Sequence, residues 1–395
     1  VPHDLLILGA SARAAAMSAA RCGINTCAGD YFADRDLAAL CAVTRIDPQF
    51  ADQQFLALAD SLPRSPWLYT GGFENRRELV EIISRKHLLW GMPAHVLRGV
   101  RDPIAVADVL DRAGLPHPGV RTDPSALPHD GSWLVKPLAS GGGRGISAFT
   151  GTRPVELSAY YYQERIDGPS YSAMFIGDGR AAGFLGASRQ WLGTAGEPFV
   201  YSGGIGPWTL GDRLRTRVCE IGDRLAAAFG LIGWFGVDFI LHNHEPWPVE
   251  VNPRYTASVE IHELASGISQ LPIHRAFCEG PTKTSVKAIE SMIQPTRIVA
   301  KRILYATGPL IAPDIRVDDN ALNPPRASAM EALADIPWPG TRFEAGDPFF
   351  TILAADETVA ACEERLGRLA AHWYDRLGCP ANGPAPQGIE STPPR

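Results

Sequence analysis

Residues 234 to 254, WFGVDFILHNHEPWPVEVNPR, alternate apolar and other side chains on either side of a polar bend. Phe235, Val237, Phe239 and Leu241 lead into it, Asn243, His244 and Glu245 make it, and Trp247, Val249 and Val251 follow. A period of two around such a bend predicts a β-hairpin. Asp238 then lies on the face opposite Val237 and Phe239, Glu250 lies opposite Val249 and Val251, and Asn252 points the same way as Glu250. Three oxygen-bearing side chains are therefore expected on one face. That face suits a divalent cation such as Mg²⁺, which takes one or two carboxylates together with substrate phosphates. It equally suits the wet side of an edge hairpin.

The same patterning divides the rest of the chain. DLLILG predicts a strand, SARAAAMSAARCG an alanine-rich helix stopped at Gly23, and INTCAGD a second strand carrying Asp30, a Rossmann-type opening without the later glycines of a dinucleotide fingerprint. PWLYTGGFEN predicts another strand and glycine turn, with Glu74 and Asn75 either capping the helix RRELVEIISRK or contacting a substrate. PIAVADVLDRAG reads as a helix between Pro103 and Gly114, and the Pro-rich stretch after it as turns. WLVKP is a strand that sets Lys136 just ahead of Ser140, Gly141, Gly142, Gly143, Arg144 and Gly145. A loop of this kind presents backbone N–H groups to phosphate, and the lysine adds charge. Lysine before the glycines is the reverse of a P-loop, so that class is set aside.

YYYQERIDG is an aromatic strand with Gln163 and Glu164 at its end, and YSAMFIGDGRAAGFLGASRQWLG a hairpin turning at Gly177 to Gly179, with Arg189 and Gln190 open to a substrate. DRLRTRVCEIGDRLAAAF is a helix closed by Gly230. Beyond Arg254, VEIHELASGI is helical, with Glu260, His262 and Glu263 either bordering a pocket or on the helix surface. VKAIESMIQPTRIVAKRILYA and PFFTILAAD read as strands, TVAACEERLGRLAAHWYDRL as an amphipathic helix, and the Pro- and Gly-rich tail as disordered.

Composition narrows the classes. At 395 residues two or three domains are expected, and 45% hydrophobic with 20% charged residues is ordinary for a globular protein. A net charge of -6 without a basic run argues against a nucleic-acid partner. Seven scattered cysteines without a C-x-x-C pair fit a reducing, cytoplasmic setting and no structural zinc. No apolar run approaches the roughly 18 residues of a membrane span. His242 and His244 flank the hairpin bend and are expected in solvent, whereas Cys219 and Cys278 are expected as buried thiols.

The order LVKP, SGGGRGI, QERIDG, GVDF and EVNPR resembles the ATP-grasp superfamily over roughly residues 90 to 275. The opening GAS, the segment DxFADxDL and EVNPRYTASVE are most similar to its stand-alone predicted carboligases, with the domain order of biotin-carboxylase-like members. The resemblance implies an α/β and α+β architecture: a Rossmann-like domain over 1–95, a two-subdomain ATP-grasp fold over 96–284, and a small β-rich domain with a terminal helix over 285–380. It implies Lys136 on the ATP phosphates under a lid from Ser140 to Gly145, and Gln163, Glu164 and Ile166 at adenine and ribose. Asp238, Glu250 and Asn252 would hold Mg²⁺, with Arg254 beside Lys136 at the reacting groups. Many members carry a lysine where this chain has Pro103, so Arg101 is the substitute charge or Lys136 acts without one. The implied activity is an ATP- and Mg-dependent ligase joining a small-molecule carboxylate, activated as an acyl phosphate, to an amine, with an association with one-carbon cofactors of pterin or furan type; a homo-oligomer is compatible with it. A non-catalytic nucleotide-binding scaffold and a nicotinamide oxidoreductase are the alternatives.

Overall fold

A computed structural model describes residues 3–152, 154–194, 196–280, 282, 284–317 and 330–378; Cys379 and the tail fall outside the described residues. The first strands, β1 (Leu5–Gly9), β2 (Thr26–Asp30), β3 (Ala42–Arg45), β4 (Pro66–Tyr69) and β5 (Leu88–Leu89), form a parallel sheet ordered β3-β2-β1-β4-β5. All five β1 residues are buried, which explains a continuous apolar run where one solvated face would give alternation. Helices α1 (Arg13–Arg21), α2 (Arg35–Leu40), α3 (Ala51–Ser61) and α4 (Arg77–Ser84) alternate with these strands. The order reverses between β1 and β4, and the loops leaving their C-terminal ends face the rest of the molecule. Asp30 does not wait there for a ribose: its carboxylate accepts the N–H groups of Ala12 (2.6 Å), Phe32 (2.7 Å) and Ala33 (2.8 Å) and so fixes the two loops.

Helices α5 (Ala94–Val100) and α6 (Pro103–Arg112) lead out of this sheet. Pro103 has a local reason: Asp102 caps α6 by accepting from Ile104 and Ala105, and proline is preorganised at the first helical position. A four-stranded antiparallel sheet follows, built from β6 (Val120–Arg121), β7 (Trp133–Pro137), β8 (Ser147–Ala148) and β9 (Tyr160–Glu164) in the order β6-β9-β7-β8.

The large sheet starts with β10 (Ser170–Asp178), β11 (Ala182–Thr194) and β12 (Glu197–Gly206). Helix α7 (Asp212–Phe229) is closed by Gly230 in the left-handed region, and β13 (Ile232–His242) and β14 (Glu245–Asn252) come next. After α8 (Ala257–Ser266) and α9 (Leu271–Cys278), β15 (Ile298–Tyr305) rejoins the sheet beside β12. The short strands β16 (Leu310–Ile311) and β18 (Arg342–Phe343) pair with each other, while β17 (Met330–Ala334) and β19 (Pro348–Asp356) extend the large sheet and α10 (Val359–Arg376) packs on it. Its order is β14-β13-β10-β11-β12-β15-β19-β17. Between β10 and β13 the register Phe175↔Phe235 and Tyr171↔Phe239 stacks ring on ring at 5.1 and 5.5 Å. Burying each ring contributes about 1.5–3 kcal/mol, which anchors the strand that carries Asp238.

Two expectations need correction. Residues 286–292 form a 3₁₀ helix, and the strand starts only at Ile298. The hairpin after Ser170 turns later than Gly177, because β10 runs on to Asp178, whose carboxylate accepts from Arg180 and Ala181. No helix among the described residues is long and apolar enough to cross a membrane.

Candidate functional site

The hairpin of β13 and β14 turns through Asn243 and His244, both at positive φ (50° and 63°), the two-residue turn that matches strand twist. Asp238 and Glu250 are direct cross-strand partners, so both carboxylates occupy one face. The register then slips: Phe239 pairs with Pro248, leaving Val249 as the extra residue of a bulge. Expecting Trp247, Val249 and Val251 on one face was therefore wrong beyond Glu250. Pro246 and Pro248 fit because β14 is the edge strand, where missing N–H donors cost nothing to a neighbour. The bulge also frees the Val249 carbonyl, which accepts from Lys136 Nζ (3.1 Å) and Gln163 Nε2 (3.3 Å).

Those two donors come from the small sheet. Lys136 on β7 and Gln163 on β9 are buried and joined (3.0 Å), with the ammonium 5.7 Å from the Tyr161 ring centroid. A cleft between the two sheets is walled by Val106, Leu110, Val120, Leu138 and Ile146, with Arg101, Lys136, Ser140, Gly143 and Glu250 at its polar side. An apolar wall with a few convergent polar groups is the usual form of a small-molecule site. Gln163 lines it, but Glu164 and Ile166 do not; the Glu164 carboxylate accepts instead from Gly119 N–H at 3.0 Å.

Arg101, at the end of α5, binds Glu250 Oε1 (2.9 Å), Asn75 Oδ1 (3.2 Å) and the carbonyls of Val251 and Ser140 (both 3.3 Å). Asn75 also donates to Ser140 O (3.1 Å), so its role is not helix capping. Glu74 likewise caps nothing: it accepts from Arg254 Nε at 2.7 Å across 180 residues. Arg254 reaches Asn252 Oδ1 (3.1 Å), and Asn252 Nδ2 donates to Asp238 Oδ2 (2.9 Å). Gln190 Nε2 supplies Asp238 Oδ1 (3.1 Å) rather than facing a substrate.

The carboxylates differ in character. Burial, then the charge of Glu250, pushes the Asp238 carboxyl up to about 6. Burial also acts to raise Glu250, but Arg101, Lys136 and Arg254 outweigh it and hold that carboxyl below its usual value. Among the described residues no group of three or more His, Cys, Asp or Glu is placed to hold a metal. The donor set is two carboxylates and one amide, which fits Mg²⁺ only if phosphate oxygens and water complete its shell. Among the described residues Glu250 Oε2 accepts no hydrogen bond, whereas the Asn252 oxygen faces Arg254.

The glycine loop is held against β12: Tyr201 N–H donates to Gly142 O (2.9 Å), and Arg144 pairs at 3.6 Å with Glu197, both side chains about half exposed. Gly143 has φ +77°, and a Cβ there would fall 1.9 Å from Phe199 O. Left-handed backbone costs a side chain about 1–2 kcal/mol before any clash. Gly143→Ala is expected to raise the half-saturating ATP concentration at least about tenfold, read by ATP titration; an unchanged value would show that docking of this loop on β12 is unrelated to nucleotide.

The other candidates are accounted for without chemistry. Glu260, His262 and Glu263 are all buried, not on the helix surface: Glu263 pairs with Arg21 (2.6 Å) and His262 contacts Ser188 (3.1 Å). Arg189 lies over the Trp208 ring. Cys219 and Cys278 are half-buried and not the buried thiols expected, though desolvation raises both, the latter to about 12. His244 is exposed, and His242 contacts the Asp167 carbonyl.

Residues 100–258 match the ATP-grasp domain model. An uncharacterized protein of Methanocaldococcus jannaschii is 25% identical over 196 residues, covering 49% of this chain, and the match spans 42% of that relative's length. The biotin carboxylase domain of Hydrogenobacter thermophilus 2-oxoglutarate carboxylase superposes with a TM-score of 0.71 at 14% identity, covering 94% of this chain and 90% of that one. L-amino acid ligase from Bacillus licheniformis gives a TM-score of 0.65 at 17% identity, covering 96% and 98%. Residues 100–258 are an ATP-grasp domain.

Proposed function

We propose that this chain is an ATP-dependent ligase that activates a small-molecule carboxylate by phosphorylation and passes the acyl group to an amine. The observation that carries this reading is the meeting of Lys136, the glycine loop and Glu250, the cross-strand partner of Asp238, around one cleft. The cleft's apolar wall suits a purine, and Lys136 with the loop N–H groups suits its phosphates. Glu250 and Asp238, with Asn252 beside them, would hold Mg²⁺, which supplies charge stabilisation on the phosphate oxygens. Arg254, clamped by Glu74, stands at the end of the same face to steady the carboxylate or the departing phosphate. In the reaction the substrate carboxylate oxygen attacks the γ-phosphorus and ADP leaves. The amine nitrogen then attacks the acyl carbon, and phosphate leaves as the amide bond forms. The solved ligase and carboxylase that share this fold support the class, the carboxylase domain having been crystallised with MgADP and bicarbonate.

Arg101 takes the place of the charge that Pro103 cannot provide, since it lines the cleft and touches Glu250 and the glycine loop together. A hydrogen bond to a charged group is worth about 1.5–3 kcal/mol, so Arg101→Met is expected to weaken ATP binding at least about tenfold by calorimetry. Unaltered ATP affinity would assign Arg101 to the fold alone. The reading as a whole is tested by an ADP-release screen of pooled carboxylates against pooled amines with Mg²⁺. ADP formed only when both pools are present supports it; ATP binding with no ADP from any pair would favour a nucleotide-binding protein without catalysis.

A further inference from the structure

Asn75 stands in the short 3₁₀ turn Phe73–Asn75 between β4 and α4, next to Glu74. The two neighbours reach out of the parallel-sheet domain to different targets: Glu74 takes Arg254 (2.7 Å), and Asn75 takes the glycine loop. Asn75 Nδ2 donates to Ser140 O (3.1 Å), Arg101 Nη2 donates to the same oxygen (3.3 Å), and Arg101 Nη2 also donates to Asn75 Oδ1 (3.2 Å). The three groups close a ring. Turning the amide over would set its NH₂ against the guanidinium and its oxygen against the Ser140 carbonyl, so only one orientation of Asn75 satisfies both neighbours. Among the described residues its side chain makes no hydrogen bond within its own sheet domain, and α4 takes no side-chain cap.

Ser140 opens the loop whose other fastening is on β12, through Gly142 O and the close approach of Gly143 to Phe199. Gly142, Gly143 and Gly145 all have positive φ (63°, 77° and 74°). A glycine run of this kind gains much backbone freedom when a tether is cut. Its fastenings are few and polar, which is the profile of a segment that opens locally while the rest of the fold stays intact. Arg101 holds Ser140 by the longer of the two bonds and shares that nitrogen with Asn75, its other terminal nitrogen being committed to Glu250 and Val251. Ser140 and Gly143 both line the cleft, so opening at Ser140 removes part of its polar side.

We propose that Asn75 is a positioning residue for the glycine loop: it ties Ser140 to the turn that also holds Arg254, so that the parallel-sheet domain sets the docked position of the loop and with it the affinity for nucleotide. The link to nucleotide rests on the reading of the cleft as an ATP site. The tether does not.

Trypsin tests the tether on the intact chain, because Arg144 lies inside the loop with its side chain 51% exposed. Asn75→Asp keeps an acceptor for Arg101 and loses the donor to Ser140, whereas Asn75→Ala loses both. One such hydrogen bond shifts a local equilibrium about two- to tenfold. The expected result is cleavage after Arg144 faster by that factor in both variants, with the other tryptic sites and Tm close to wild type. Calorimetry should show the ATP dissociation constant raised by the same factor in Asn75→Ala, which adds no charge to the cleft. Cleavage after Arg144 at the wild-type rate in both variants would overturn the tether, as would acceleration in Asn75→Ala alone, which would place the effect on Arg101. An equal rise at all tryptic sites, or failure of both variants to fold, would overturn it too, since Asn75 would then hold the fold and not the loop. Faster cleavage after Arg144 with unchanged ATP affinity would overturn the link to nucleotide. Absence of ATP binding by wild type would sink the ATP reading and that link together, while the protease result decides the tether by itself.

Discussion

Glu250→Gln is expected to lower ADP formation by about two to three orders of magnitude, the scale seen when one preorganised electrostatic contact to a transition state is removed. Glu250 is only 27% exposed, and Arg101, Lys136 and Arg254 hold its carboxyl below the usual range despite its burial. Asp238, its cross-strand partner, is pushed up to about 6, by burial first and by Glu250 second. At neutral pH Glu250 is thus the more firmly ionised of the two. Glutamine keeps an oxygen for the 2.9 Å bond from Arg101, so the hairpin and the latch to Ser140 remain while the charge is lost. Thermal unfolding should be close to wild type and ADP release nearly absent with the carboxylate and amine pair that the screen identifies. Turnover at the wild-type rate would remove Glu250 from the reacting face.

That prediction could be framed from local pattern because the hairpin advertises itself. Its period of two sorts Asp238 and Glu250 from Val237 and Phe239, and an Asn-His bend is suited to two consecutive positive φ values. The bulge at Val249 was less visible, since valine satisfies either register; Pro246 and Pro248 were the signal, as prolines inside a strand point to an edge or a bulge. Lys136 and the glycine loop were legible for the same local reason. What holds them was not. The contacts Arg101 to Glu250 and Arg254 to Glu74 join residues 149 and 180 positions apart, and no periodicity encodes a partner at that distance. Helix α8 misled in another way. Glu260, His262 and Glu263 suggest a wet face, yet all ten α8 positions except Ala257 and Ser266 are at most 4% exposed, because the helix is packed between α1 and the large sheet. Charged side chains can sit there only because Arg13, Lys301 and Arg21 arrive from two other regions of the chain.

Those arrivals set the second large effect, on stability. Glu260, 1% exposed, accepts from Arg13 and from Lys301 (2.6 Å), and Lys301 is 8% exposed with no other ion pair among the described residues. Glu260→Gln leaves a buried ammonium without its counter-charge and weakens the hold on Arg13. Breaking one side of a buried pair costs about 3–5 kcal/mol, whereas replacing both sides with apolar groups of similar volume is often neutral. The single variant should therefore show a large drop in unfolding free energy, and adding Lys301→Met should recover much of it, a non-additivity that a double-mutant cycle reads directly. The pH dependence has a defined sign. Burial alone would raise the Glu260 carboxyl, but Arg13 and Lys301 hold it far below the usual carboxylate range, and Asp335 is lowered by Arg13 in the same way. A folded-state value below the unfolded one gives stability that is complete above about pH 5 and is lost as the pH falls through the folded value. Wild type should accordingly lose stability steeply in acid, and Glu260→Gln should show a shallower slope from a lower plateau. If the two slopes coincide, with the plateau drop under about 1 kcal/mol, the Glu260 pairs contribute little, as exposed ion pairs do.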